Sequence, residues 1–328
     1  MSTFSIIIPI RPGGTPEALA NLINVDLSAS QIEILVAEGN NPSRQRNEAV
    51  RQAQGKIIYF LDDDSVVTYD CLKRLADHFA DPMVTVVGGP SLTPATDSLL
   101  QQAIGSALAS TLGAGGVRNR YQSRGSIRKT TEKELILCNL AVRRSAFLSC
   151  GGFDERLYPN EENEFLDRLR ASGGILLHDP QLVVQRSQRR TLAAFARQMF
   201  RYGQGRARQT RIAGFSGIMP FAPLFLFIYL LSLPFIPAGI WQTPALLYLL
   251  ALPGAALNQA WKARKSAFAF LLPFLYPLLH LSNGAGLLSG FLLPLPQQAC
   301  YKEEEITLRR IPFPEPPDGP EHSHTDLP

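Results

Sequence analysis

Between Phe215 and Ala260 the chain carries no Lys, Arg, Asp or Glu. Such a gap is unusual in a soluble domain, and it constrains the class of the protein before any motif is read. The hydrocarbon core of a bilayer takes about 20 mainly apolar residues per helix. The stretch "GIMPFAPLFLFIYLLSLPFIP", Gly217 to Pro237, meets that requirement. A second segment, Ile240 to Ala256, is shorter and Pro-interrupted. A third, Ala267 to Leu293, is long and broken by "HLSNGAG". The expected organisation is a cytosolic domain over residues 1–212 and a membrane domain of two to three helices over 213–300. A Pro-rich tail without fixed structure follows over 301–328. The competing reading of the apolar segments is a buried helical hairpin of a soluble fold.

Basic residues orient this arrangement. Arg197, Arg201, Arg206, Arg208 and Arg211 precede the first segment, and "KARK" (Lys262–Lys265) separates the second from the third, whereas the intervening "AGIWQT" is uncharged. Positive-inside logic puts the front domain and "KARK" on the same cytoplasmic side of a multi-pass inner-membrane protein. The third segment leaves the side of the tail open, since it can cross once or turn back at Asn283-Gly284. No basic n-region followed by an apolar h-region opens the chain, so no signal peptide is expected. The formal net charge of +4 forces no nucleic-acid partner. Cys71, Cys138, Cys150 and Cys300 show no CxxC or metal-ligand spacing and read as thiols. A metal role for His322 and His324 in the tail is not favoured.

The front domain alternates strands with helices. "FSIIIPI" (Phe4–Ile10), "IEILVA" (Ile32–Ala37) and "KIIYFL" (Lys56–Leu61) are nearly unbroken apolar runs, as in a sheet covered on both faces. Between them, Thr15-Pro16-Glu17 predicts a helix start, and "NNPSRQRNEAVRQAQG" predicts a loop, a Ser43 cap, a helix and a Gly55 stop. The pattern implies an α/β fold with a parallel, doubly wound sheet.

That placement gives meaning to "IIYFLDDDSVV". Asp62, Asp63 and Asp64 lie just past the carboxyl end of a central strand, as do Arg11 after the first strand and Glu38 after the second. In open α/β sheets this edge is where ligands bind. One Asp there could simply cap the next helix. Three in succession favour a divalent cation that holds a diphosphate, since Mg²⁺ is commonly bound by one or two carboxylates plus phosphate oxygens. Neither GxxxxGK[ST] nor GxGxxG is present, so metal would replace the usual backbone cradle.

A second acidic group lies in "GGFDERLYPNEENEFLDRLRASG". A helix is expected from about Glu161 to Arg170, with Asn160 as N-cap and Glu161, Glu162 and Glu164 near the positive end of its dipole. Helix-start stabilisation accounts for Glu161 and Glu164. Glu162, after a glycine-rich loop, reads as a cleft carboxylate acting as a base.

The order "SIIIPIRP", "EILVAEGN", "RQRNEAVRQAQGKIIYFLDDD", "CNLAVRRSAFLSCGGFDE", "NEENEFLDRLRASG", "RQMFRYGQGRAR" resembles the family 2 glycosyltransferases with a GT-A fold, over roughly Phe4 to Arg211. It is most similar to the membrane-bound branch that builds bacterial polysaccharides such as succinoglycan. The resemblance implies a GT-A (Rossmann-like), mixed, mostly parallel sheet with helices on both faces, followed by transmembrane helices. It implies an inverting transfer from a nucleotide-diphosphate sugar, UDP-sugar by default, to a lipid-linked or polysaccharide acceptor. Pro9, Arg11, Glu38, Arg46, Asp62 and Asp63 would contact the donor, Arg46 being equally at home as a surface helix residue. Asp62 and Asp64 would hold Mn²⁺ or Mg²⁺ in a D-x-D motif. Glu161-Glu162 occupies the family's E-D pair, with Glu162 as base. Two departures are conservative: the family usually has Asp at the positions of Glu38 and Glu162. A third is larger, because Q-x-x-R-W appears only as Gln198-Met-Phe-Arg201-Tyr202. These three residues read as an acceptor side, or as part of an amphipathic helix on the membrane surface. The rival functions are a nucleotidyltransferase using the same acidic strand end and a non-catalytic membrane module that keeps the fold. A transporter is disfavoured by the lack of charge at mid-depth in the apolar segments.

Overall fold

The computed structural model describes residues 3–22, 25, 31–215, 217–295 and 305–313. Cys300, His322 and His324 lie outside them. The front half runs β1 (Phe4–Ile10), α1 (Ala18–Leu22), β2 (Ile32–Glu38), α2 (Pro42–Gln52), β3 (Ile57–Leu61), β4 (Val66–Val67), α3 (Cys71–Phe79), β5 (Val84–Gly88), β6 (Ser91–Leu92), α4 (Leu99–Leu108) and α5 (Thr111–Ala114). There follow β7 (Arg128–Lys129), β8 (Asn139–Arg143), α6 (Arg144–Ser149), α7 (Glu161–Ala171), β9 (Ile175–His178), β10 (Val184–Gln185) and α8 (Leu192–Ala213). The apolar part is α9 (Ala222–Ser232), α10 (Thr243–Ala263) and α11 (Phe268–Leu292), and β11 (Thr307–Ile311) comes last.

The main sheet has the order β11-β2-β1-β3-β8-β5-β9-β7. Strands β2, β1 and β3 are parallel, as the sequence implies. Beyond β3 the sheet is mixed, because β8 pairs antiparallel with both β3 and β5. An apolar run buried on both faces looks the same in either direction, so the pattern alone could not show the reversal. Ile6, Ile8, Tyr59 and Leu61 face one core, and Ile7, Ile58 and Phe60 face the other. On the second side Phe60, Phe147, Phe153 and Phe165 pack with ring centroids 5.0–5.7 Å apart. Each such pair adds about 0.5–1.5 kcal/mol beyond area burial. They fix α7, which carries Phe165, onto the strand that ends in the aspartates.

Several local expectations are corrected. Helix α1 begins at Ala18, not at Pro16. The N-cap of α2 is Asn41, whose Oδ1 accepts from the Arg44 amide at 3.2 Å with Pro42 in the first turn. Ser43 is instead spent on the Leu157 carbonyl, 2.6 Å away. Asn160 makes no side-chain cap to α7; it sits in the left-handed region at φ 87°, which Asn tolerates better than most residues. Part of the tail is ordered: β11 pairs antiparallel with β2, Leu308 opposite Ala37. Leu308 and Ile311 pack against the two cores, and Arg310 Nη1 lies 2.7 Å from Oε1 of buried Glu33.

The apolar segments also differ from expectation. The first is short: α9 with its flanking 3₁₀ turns covers Met219–Phe235. Two helical stretches among the described residues, Ile240–Ala263 and Phe268–Leu292, are long and apolar enough to cross a membrane. The third segment is one continuous helix through Asn283-Gly284. Its glycines serve packing, not a turn: a Cβ at Gly286 would overlap the carbonyl of Phe200 in α8, and one at Gly203 that of Asn283.

Candidate active site

The three aspartates that end β3 are compensated by two arginines. Asp62 accepts from Arg46 Nη2 at 3.0 Å through one oxygen and lies 3.1 Å from Arg186 Nη1 through the other. Asp64 accepts from Arg186 Nε at 3.0 Å. Asp63 keeps a more protonated carboxyl than usual, first because it is partly buried and then because Asp64 and Asp62 flank it. Burial works to lower the Arg186 pKa, but the charges of Asp62 and Asp64 drive it well above its ordinary value. Arg186 is 122 residues from Asp64 in the chain. It arrives because β10, which it follows, pairs with β4, which follows the aspartates, Val184 opposite Val67.

Arg46 is the hinge between the two acidic groups. The residue is 4% exposed, which excludes a surface role. Its Nη1 lies 3.1 Å from Glu161 Oε1, so one guanidinium joins the strand-end carboxylate to the start of α7. The polar face of α2 sets this geometry. Asn41 donates to the Glu155 carbonyl at 3.2 Å, Ser43 to that of Leu157, and Asn47 exchanges two 2.9 Å bonds with the backbone of Phe153. The loop into α7 is thereby tied to the helix that carries Arg46.

The adjacent acids Glu161 and Glu162 have different surroundings. Glu161 is 2% exposed, and its Oε2 is a buried atom without a hydrogen-bond partner, as is Arg46 Nε. Burial, reinforced by the charge of Glu162 and opposed by Arg46, pushes the Glu161 carboxyl up to about 8. Glu162 retains access to solvent and faces Arg120 Nη1 at 3.5 Å. Arg120 is itself held by Asn163 Oδ1 and the carbonyls of Glu132 and Lys133. Neighbouring carboxyls separated in this way are suited to distinct roles, Glu161 buried with its carboxyl pushed up and Glu162 open to the site.

Glu161 implies a measurable linkage. Its folded pKa exceeds the unfolded value of 4.5, so between there and about 8 the folded state holds more protons than the unfolded one. Stability should therefore fall as pH rises through that window. Glu161→Gln should flatten this slope in thermal melts recorded from pH 5 to 8.5; an unchanged slope would assign the pH dependence elsewhere.

The other anticipated residues divide. Glu38 accepts from the Gly13 amide at 2.8 Å and faces Arg309 Nη2 of β11 at 3.5 Å, so the tail strand reaches this corner. Pro9 lies within β1, and Arg11 is exposed in the turn after it. Gln198 donates to the Tyr202 hydroxyl at 2.9 Å, and both line a pocket with Arg186, Ser91 and Tyr121. Arg201 is exposed and does not line that pocket. Arg186 and Arg120 were missed by sequence reasoning. For Arg186 the available signal was the basic run "RSQRR" just after an apolar strand; Arg120 had none.

Among the described residues no group of three or more His, Cys, Asp or Glu is placed to hold a metal ion. The donor chemistry of Asp62 and Asp64 nevertheless suits Mg²⁺ or Mn²⁺ once phosphate oxygens complete the shell. The Arg186 guanidinium bridges both carboxylates, so binding there requires it to yield at least one contact.

Residues 57–279 match the family described as glycosyl transferase family group 2. Among solved structures, the chain is similar in fold to the mannosyltransferase PcManGT of Pyrobaculum calidifontis, solved in complex with GDP-Man and Mn²⁺. The identity is 16% over 88% of this chain and 87% of that one, with a TM-score of 0.55. A more distant match is TarS 1–349 of S. aureus with UDP-GlcNAc, 13% identical over 89% of each chain, TM-score 0.44. No curated protein sequence matches the chain.

Proposed function

Because this chain belongs to glycosyl transferase family group 2, we propose that it moves a sugar from a nucleotide-diphosphate sugar to an acceptor hydroxyl with inversion at the anomeric carbon. The acceptor is a lipid-linked or polysaccharide chain at the cytoplasmic face of a membrane. The observation that carries this reading is Arg46 bound at once to Asp62 and Glu161, which makes the diphosphate corner and the acid pair one site.

In this reading Glu162 takes the proton from the acceptor hydroxyl. The oxygen forms its bond to the anomeric carbon as the bond to the diphosphate oxygen breaks, and the nucleoside diphosphate leaves with the electron pair. Asp62 and Asp64 would hold Mn²⁺ or Mg²⁺, which supplies Lewis-acid stabilisation of the leaving diphosphate. The complex of the similar mannosyltransferase with GDP-Man and Mn²⁺ supports this choice of ligand class. Arg186 adds a permanent positive charge beside the same corner, and Glu38 borders the nucleoside end. Gln198 and Tyr202 sit on the acceptor side, where the altered Q-x-x-R-W pattern gives no support to processive synthesis. Membrane attachment would raise the local concentration of a lipid-linked acceptor.

A screen of the full chain in detergent against nucleotide sugars should release nucleoside diphosphate. Release of inorganic diphosphate instead would identify a nucleotidyltransferase, and no turnover or binding of any donor would leave a non-catalytic module. Asp64→Asn should weaken donor binding in the presence of Mn²⁺ more than in its absence. Identical metal titrations for the two proteins would remove Asp64 from the site.

A further inference from the structure

The apolar helices do not project from the catalytic domain; they lie along it. Helix α11 has 25 residues, about 37 Å at 1.5 Å per residue. Just before its start, Lys265 Nζ bonds to Gln102 of α4. At its middle, His280 Nε2 meets the Leu112 carbonyl of α5 at 2.9 Å. Towards its end, Asn283 donates to the Met199 carbonyl at 3.3 Å, Gln204 to Ser289 at 3.0 Å, and Arg211 to the Gly290 carbonyl at 3.1 Å. Both ends of α11 are thus held by helices of one domain, which a membrane-crossing helix could not achieve.

The other two apolar helices follow α11. Tyr248 of α10 meets His280 at 2.8 Å, and Leu252, Ala256 and Ala260 join the cluster of Phe268, Leu272 and Leu275, so α10 runs antiparallel along α11. Helix α9 packs at the far end, with Pro223 and Phe227 against Gly284 and Phe221 against Phe291. Tyr229 Oη ties α9 to the start of α10 through the Trp241 carbonyl, 2.6 Å away. Helices α9 and α10 thus pack on α11, and residues such as Phe225, Leu231, Trp241, Leu250, Trp261 and Phe274 form an exposed apolar surface. Basic residues border it: Arg201 and Arg211 on α8, and Lys262 and Arg264 at the α10–α11 turn, are exposed. Finally, β11 returns to the edge of the catalytic sheet and its Arg310 neutralises Glu33, which fixes head and tail on one side.

We infer that α9, α10 and α11 lie in the plane of a single leaflet, the one facing the catalytic domain, and that none of them crosses the bilayer. The occupant of the exposed apolar face is the acyl region of that leaflet, and the basic border meets anionic headgroups. A helix lying flat, about 10 Å across, suits the 5–10 Å depth at which interfacial helices bury their apolar faces. The inference rests on the proposed membrane location and replaces the multi-pass arrangement expected from hydropathy.

The test places a cysteine at Ala238, in the turn between α9 and α10, and a reference cysteine at exposed Met83 on the catalytic domain. Sealed vesicles with the catalytic domain outward are treated with a membrane-impermeant maleimide, and labelled peptides are identified by mass. Ala238→Cys should be labelled from the same side as Met83→Cys. Protection from both sides, with labelling restored in detergent, also supports seating within the leaflet. Labelling of residue 238 only after the lumen is opened would establish a crossing and overturn the inference. Failure of the protein to float with vesicles containing anionic lipid would instead remove the membrane location itself, which separates the two claims.

Discussion

Glu162→Gln should lower turnover by about 10²–10⁴-fold, the range a positioned general base contributes, while donor binding stays within a factor of a few. The variant removes the proposed base but keeps the shape of the side chain and the helix start. Glu162 is the acid of the pair that retains access to the site, with Arg120 Nη1 beside it at 3.5 Å. The effect should fall on kcat, because the proton is taken only as the acceptor attacks. Wild-type turnover by Glu162→Gln would show that the proton leaves by another route. A large loss of donor affinity with unchanged kcat would make Glu162 a binding residue.

Arg46→Met should have the largest effect on stability. The residue is buried and joins Asp62 to Glu161, which is buried in turn. Removing the guanidinium takes one partner from Asp62 and leaves the largely protonated Glu161 carboxyl buried without its hydrogen-bond donor, which costs about 1–3 kcal/mol. For a domain of this size that corresponds to a melting point lower by roughly 2–12 °C. A second substitution isolates the cause. In Arg46→Met/Glu161→Leu the orphaned buried acid is gone, so the combined loss should be clearly smaller than the sum of the two single losses. Strict additivity would mean that the two side chains do not depend on each other.

The sequence carried the two acidic groups because each is local: three aspartates directly after an apolar run, and an acid pair at a helix start. It carried the parallel β2-β1-β3 core for the same reason, since alternation of apolar runs and helices has one simple solution. The cations that make the groups into a site were not legible. Arg186 reaches Asp62 and Asp64 only through the β4–β10 pairing. Arg46 reads as an ordinary helix residue until the loop before α7 is seen stitched to α2. Ser43 looked like the cap because it is a good one, but tertiary contact with Leu157 took its hydroxyl and left Asn41 to cap. Hydropathy marked the apolar segments but not their direction. Asn283-Gly284 suggested a turn, whereas the glycines of α11 are there because α8 and α9 approach too closely for a side chain. The tail reads as polar and Pro-rich, and nothing local in it announces that Arg310 completes the charge of Glu33 from the edge of the sheet.

The most direct measurement is a structure of the full chain with a turned-over nucleotide sugar and Mn²⁺. The diphosphate should lie against Asp62 and Asp64, with Arg186 shifted off at least one of them and the Glu162 carboxylate facing the anomeric carbon. A donor bound elsewhere, with Arg186 still clasping both aspartates, would contradict the site.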